Sequence, residues 1–91
     1  MPYYVYIIQS LRNEQFYKGY SENPVARLSQ HNAGETSSTR PFMPWKLVYV
    51  ELCDSKTAAL KREKNLKKET RERLFALIDS NKNIVTEFEV G

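Results

Sequence analysis

The sequence predicts an α+β fold: a small, mainly antiparallel three-stranded sheet flanked by helices, in the order β-β-α-β-α-α. Three observations lead there. Two runs rich in aromatic and β-branched residues, "PYYVYIIQ" and "FYKGY", are separated only by the polar stretch "LRNEQ", which predicts a hairpin. A third such run, "WKLVYVELC", arrives after a helix-length segment and adds to the same sheet. Two further helical patterns then cover the faces. At 91 residues the expectation is a single domain spanning residues 1–91, with one modest core.

Each element has its own signal. In "PYYVYIIQ" both alternating faces are apolar, Tyr4, Tyr6 and Ile8 on one and Tyr3, Val5 and Ile7 on the other. A strand covered on both sides is central. Gly19, near the end of the second strand, allows a close backbone approach or a bulge. The first helix opens with Asn23 as N-cap and Pro24 at its first position. Val25 and Leu28 form its core stripe, and Gly34 ends it. Residues 35–45, "ETSSTRPFMPW", hold two prolines and clustered hydroxyls and read as a loop. Asp54 or Ser55 caps a second helix running to about Glu69, with Ala59, Leu60 and Leu66 as its apolar stripe. Thr70 caps a third, "RERLFALIDS". The tail "NIVTEFEV" alternates and reads as either a short extra strand or a loose end.

Charge is unevenly spread. The formal net charge is +3, yet residues 1–54 balance at five basic and five acidic groups. Residues 55–73 carry eight basic and three acidic groups, so the excess sits in one helical stretch. A localised basic stripe suits a polyanion; the alternative is a solvated helix face. No apolar run approaches the roughly 18 residues of a membrane span. The N-terminus shows neither a basic n-region nor a small-residue cleavage site, so no signal peptide is expected. Cys53 is alone, which rules out an intramolecular disulfide and a multi-cysteine metal site. These features point to the reducing cytoplasm.

Three sets of residues resist a purely structural account. Glu63 falls on the apolar stripe of the second helix, where an unpaired carboxylate is costly. It either takes a partner (an arginine, a tyrosine hydroxyl or a metal ion) or snorkels to water. Arg27 and His31, the single histidine, share a helix face at i, i+4. Together they suit a phosphate; separately they are a surface arginine and a histidine at a helix C-terminus. Tyr6 and Tyr17 lie on strands that pair, so their hydroxyls can emerge on one face, and a buried tyrosine hydroxyl seeks a partner. No His- or Cys-rich cluster and no glycine-rich phosphate loop competes.

Taken in order, these residues resemble the GIY-YIG nuclease superfamily. "YVY" at 4–6 stands where the Gly-Ile-Tyr motif would be, and "YKG" at 17–19 where Tyr-Ile-Gly would be. "ARLSQHNAG" resembles the helix with an arginine and, four residues on, a histidine. "PWKLVYVE" followed by "AALKREKNLK" resembles the remaining strand and the metal-ligand helix. The likeness covers roughly residues 3–80 and is strongest to small single-domain bacterial members, similar to the N-terminal nuclease domain of the excinuclease subunit of nucleotide excision repair.

The resemblance implies metal-dependent hydrolysis of DNA. Glu63 would hold a single Mg²⁺ or Mn²⁺ that keeps several waters. Arg27 would hold the scissile phosphate. Tyr6 and Tyr17 would position or deprotonate the attacking water, with Arg27 and the metal lowering a tyrosine pKa. His31 would be a second base or a phosphate contact, and Asn81 the late asparagine near the site. Lys18, Arg40, Lys61, Lys64 and Lys67 would contact the nucleic acid. Two departures from the motifs are Tyr4 in place of glycine and Lys18 in place of an apolar residue. Neither removes a proposed catalytic group. A protein partner that brings the chain to DNA fits a lone domain, with a role in DNA repair or recombination. The alternatives are a catalytically silent nucleic-acid-binding module and an interaction subunit whose basic helix docks an acidic protein.

Overall fold

A computed structural model describes residues 2–88. Strands β1 (Tyr3–Ser10), β2 (Phe16–Ser21) and β3 (Trp45–Cys53) form one sheet in the order β2-β1-β3. Both pairings are antiparallel, and β1 is central as its two apolar faces require. Helix α1 (Pro24–Asn32) lies between β2 and β3 in the chain; α2 (Lys56–Lys67) and α3 (Arg71–Ile78) follow β3. The architecture is the α+β fold the sequence predicts.

The alternation along β1 divides the core. Val5 and Ile7 pack with Tyr49, Ala59, Leu66 and Leu74 beneath α2 and α3. Tyr6 and Ile8 pack with Trp45 and Val50 on the other face, where Leu28 of α1 joins them. The β1–β3 register slips between Ile7, opposite Tyr49, and Ile8, opposite Leu47. Val48 is the extra residue of this bulge, which no feature of the sequence announces.

The caps are largely those the sequence marks. Asn23 Oδ1 accepts from the Ala26 N–H at 3.1 Å. Gly34 adopts φ +76°, open to it because it has no Cβ. The N–H groups of Gly34 and Glu35 donate back to His31 and Gln30 carbonyls, each at 3.1 Å, closing a Schellman stop. Ser55 rather than Asp54 caps α2, and Thr70 caps α3.

Other expectations need correction. Helix α2 ends at Lys67, not Glu69, and α3 at Ile78. Leu60 is 36% exposed, because the inward stripe of α2 is carried by Ala59 and Leu66. The loop after α1 holds a short 3-10 turn, Arg40–Phe42. The tail is neither strand nor loose end up to Phe88. Ile84 N–H donates to Val50 O at 2.9 Å, and Val85–Phe88 then coils into a 3-10 turn. Asn83 forces this. Its Oδ1 accepts from the N–H groups of Val50 and Val85, and its Nδ2 donates to the carbonyls of Val48 and Ile78. The side chain thus occupies the free edge of β3 that another strand would need. The last residues of that tail lie outside the described residues. Among the described residues no helix is long and apolar enough to cross a membrane.

Candidate active site

A cleft of about 340 Å³ opens where four elements meet, lined by Tyr6, Tyr17, Gly19, Tyr20, Ser21, Arg27 and Glu63. Tyr6 comes from β1, Tyr17 from β2, Arg27 from α1 and Glu63 from α2. The strand register brings the first two together: Tyr6 pairs with Gly19, and Ile8 with Tyr17. The Tyr6 ring passes directly over Gly19. A Cβ there would stand 2.5 Å from the Tyr6 hydroxyl, so glycine at the strand end is a steric requirement.

His31 lies behind the cleft and is fully buried. Its Nε2 stands 2.9 Å from Tyr6 Oη and its Nδ1 2.9 Å from Thr39 Oγ1. Burial, reinforced by the charge of Arg27, pushes its pKa down to about 4, so the ring is neutral at pH 7. The expected phosphate contact is therefore closed to it: the ring is out of reach of solvent. Tyr6 is pushed the other way, up to about 12, by burial and by Tyr17. Arg27 acts in the lowering direction that the sequence suggests, but burial outweighs it. In the protein without a bound metal Tyr6 is thus a phenol, not a tyrosinate.

Arg27 donates to Gln30 Oε1 at 2.6 Å, which holds its guanidinium beside the cleft. The Glu63 side chain is only 14% exposed and pairs with Lys67 Nζ at 3.2 Å. The carboxylate has the partner that its position demands, though a lysine rather than any of the three considered. Helix α2 is itself fixed to β3: Arg62 Nε meets Glu51 at 3.2 Å, and the Tyr49 hydroxyl donates to the same carboxylate. A larger cavity of about 420 Å³ lies by α2 and α3, but its arginines, Arg62 and Arg73, are engaged by Glu51 and Glu69.

The GIY-YIG catalytic domain matches residues 2–76. The chain belongs to the GIY-YIG family. The UPF0213 protein of Haloquadratum walsbyi is 39% identical over 83 residues, covering 90% of this chain and 92% of that one. The UPF0213 protein of Natronomonas pharaonis is 42% identical over 78 residues, covering 81% and 91%. The solution NMR structure of a UPF0213 protein from Bacillus halodurans superposes with a TM-score of 0.57 at 26% identity, covering 97% of this chain and 94% of that one. The family is one of nucleases, and its catalytic-domain match spans every residue that lines the cleft.

The donors around this GIY-YIG cleft bear on which metal fits. They are one carboxylate, Glu63, with the hydroxyls of Tyr6, Tyr17, Tyr20 and Ser21. Among the described residues no group of three or more His, Cys, Asp or Glu side chains converges. An all-oxygen set with a single carboxylate fits a hard cation that keeps most of its waters, such as Mg²⁺ or Mn²⁺.

Not every residue singled out in the sequence reaches the cleft. Asn81 is exposed in the turn after α3 and does not line it; the neighbouring Asn83 is engaged at the β3 edge. Arg40 is exposed and donates to Gly34 O at 2.7 Å, securing the end of α1. Lys18 sits opposite Ile7 on the α2 face, half-buried, its pKa lowered by burial and by Lys67. Lys61 and Lys64 are exposed along α2. Sequence reasoning missed Thr39, buried against His31 inside a stretch that reads as a polar loop. It also missed Asn32, whose amide pairs with both backbone groups of Trp45 and fixes the end of α1 to β3.

Proposed function

We propose that this protein is a divalent-metal-dependent endonuclease that hydrolyses phosphodiester bonds in DNA, in the setting of DNA repair or recombination. The observation that carries the reading is the convergence of Tyr6, Tyr17, Arg27 and Glu63 in one cleft, with neutral His31 against Tyr6. Glu63 would hold Mg²⁺ or Mn²⁺. Bound there, such an ion supplies Lewis-acid activation of the phosphate. Arg27 binds a phosphate oxygen and offsets the charge that grows in the transition state. The hydroxyls of Tyr6 and Tyr17 orient a water for attack on phosphorus. As the water oxygen bonds to phosphorus, its proton passes to Tyr6 Oη while the Tyr6 proton passes to His31 Nε2. The bond from phosphorus to the leaving deoxyribose oxygen breaks, and that oxygen takes a proton from solvent. The imidazolium is disfavoured by burial and by Arg27, so the relay runs back: the His31 proton returns to Tyr6 Oη, and the proton that Tyr6 took from the water leaves to solvent through the cleft. The exposed lysines of α2 suit the phosphates flanking the cut.

The test is cleavage of single-stranded, duplex and branched DNA with Mg²⁺, with Mn²⁺ and with EDTA. Metal-dependent nicking by the parent protein, absent from a folded Glu63→Ala variant, is the expected result. Binding without cleavage on every substrate would point instead to a nucleic-acid-binding module. Cleavage retained in Glu63→Ala would remove that residue as the metal ligand.

A further inference from the structure

We propose that Thr39 is a positioning residue that holds His31 in one tautomer, protonated on Nδ1, with the Nε2 lone pair turned to Tyr6. Three hydrogen bonds run in series through the interior. Tyr6 Oη meets His31 Nε2 at 2.9 Å, His31 Nδ1 meets Thr39 Oγ1 at 2.9 Å, and Thr39 Oγ1 meets Thr36 O at 3.3 Å. The far end of the series is a carbonyl, which only accepts. Thr39 Oγ1–H therefore donates to Thr36 O, leaving Oγ1 as the acceptor for Nδ1–H. Nε2 is then bare, and the Tyr6 hydroxyl donates to it. This is the arrangement that puts one proton in each bond. The reverse tautomer leaves the Thr39–Thr36 contact without one.

Burial makes the assignment matter. His31 is 0% exposed and Thr39 1%, so no water takes the place of either side chain's partner, and the reverse tautomer forfeits the Thr39–Thr36 side-chain hydrogen bond, although Thr36 O keeps the N–H groups of Thr39 and Arg40. Thr39 is itself held in place. Its carbonyl accepts from Trp45 Nε1 at 2.9 Å, and its N–H donates to Thr36 O at 3.2 Å. The hydroxyl thus approaches the imidazole from a fixed backbone. Only the Nδ1–H tautomer lets His31 receive a proton from Tyr6. The functional consequence rests on the nuclease reading, whereas the tautomer itself does not.

The chain has one histidine, so ¹⁵N-resolved imidazole spectra report on His31 alone. In the parent protein at pH 7 the expected spectrum shows a protonated, pyrrole-type Nδ1 and an unprotonated, pyridine-type Nε2. Thr39→Val, matched in shape but lacking the hydroxyl, should lower the ratio of that tautomer to the other by about tenfold. Thr39→Ser should restore it. If the protein cleaves DNA, kcat falls in Thr39→Val with KM little changed, and recovers in Thr39→Ser. A parent spectrum with Nε2 protonated overturns the proposal, even where Thr39→Val does not fold. So does an unchanged tautomer ratio in a folded Thr39→Val. Absence of cleavage, with the expected spectra, would count against the nuclease reading and leave the tautomer assignment standing.

Discussion

Tyr6 is shaped by two neighbours, Gly19 beneath its ring and His31 at its hydroxyl. Gly19→Ala would drive a methyl group into the Tyr6 hydroxyl. We expect a loss of about 1–3 kcal/mol in urea unfolding, as overpacking brings, with turnover on DNA falling by about tenfold or more. Unchanged stability and turnover would mean that the ring shifts freely. His31 makes a second prediction, because its folded pKa of about 4 lies below the unfolded 6.5. The unfolded chain takes up a proton first as the pH falls. The contribution of neutral His31 is therefore complete above about pH 6.5, declines between about 6.5 and about 4, and is gone below that. The linkage is on the order of 3 kcal/mol. Urea unfolding from pH 7 to pH 4 should show this decline in the parent and a weaker one in His31→Gln. Parallel pH profiles would refute it.

At the scale of elements, two asparagines fasten pieces that the strand and helix patterns leave unattached. Asn32 pairs with the Trp45 backbone like a strand neighbour and so fixes α1, which carries Arg27 and His31, against β3. Asn83 ties β3 to the end of α3 and to the C-terminal turn through four hydrogen bonds. Asn83→Ala strands several backbone groups at once. It should cost about 2–3 kcal/mol by urea unfolding. Cleavage by the folded variant should match the parent, since Asn83 does not line the cleft. A variant of parental stability would show that water replaces the amide. The helix caps were legible because a cap joins a side chain to its own nearby backbone. The asparagine fasteners were not, because their partners lie up to 35 residues away.

Across the whole molecule, the basic excess of residues 55–73 sits on α2 and the start of α3, on the helix that also presents Glu63 to the cleft. Lys61 and Lys64 are exposed, while Lys67 is engaged by Glu63. Replacing Lys61 and Lys64 by glutamine should weaken DNA binding in EDTA. It should also flatten the slope of log K against log salt by about 2, near 0.9 for each duplex phosphate that is no longer neutralised. An unchanged slope would return these lysines to a solvated face. The two cores lie one on each side of the sheet, and the cleft opens beside β2, which supplies Tyr17, Gly19, Tyr20 and Ser21 to its lining.

The sequence by itself determined the sheet, the central place of β1, the N-caps of all three helices to within a residue, and the grouping of Tyr6, Tyr17, Arg27 and Glu63. Each of these follows from short-range periodicity, from a side chain's reach to its own backbone, or from ordered motifs. The tertiary structure alone decided the burial of His31, the role of Thr39, the bulge at Val48 and the separation of Asn81 from the cleft. It also set the charge state of the site. A histidine one turn from an arginine reads as a phosphate binder until packing removes it from water. Desolvation then keeps the imidazole neutral and the neighbouring phenol protonated, and desolvation is a property of the folded whole.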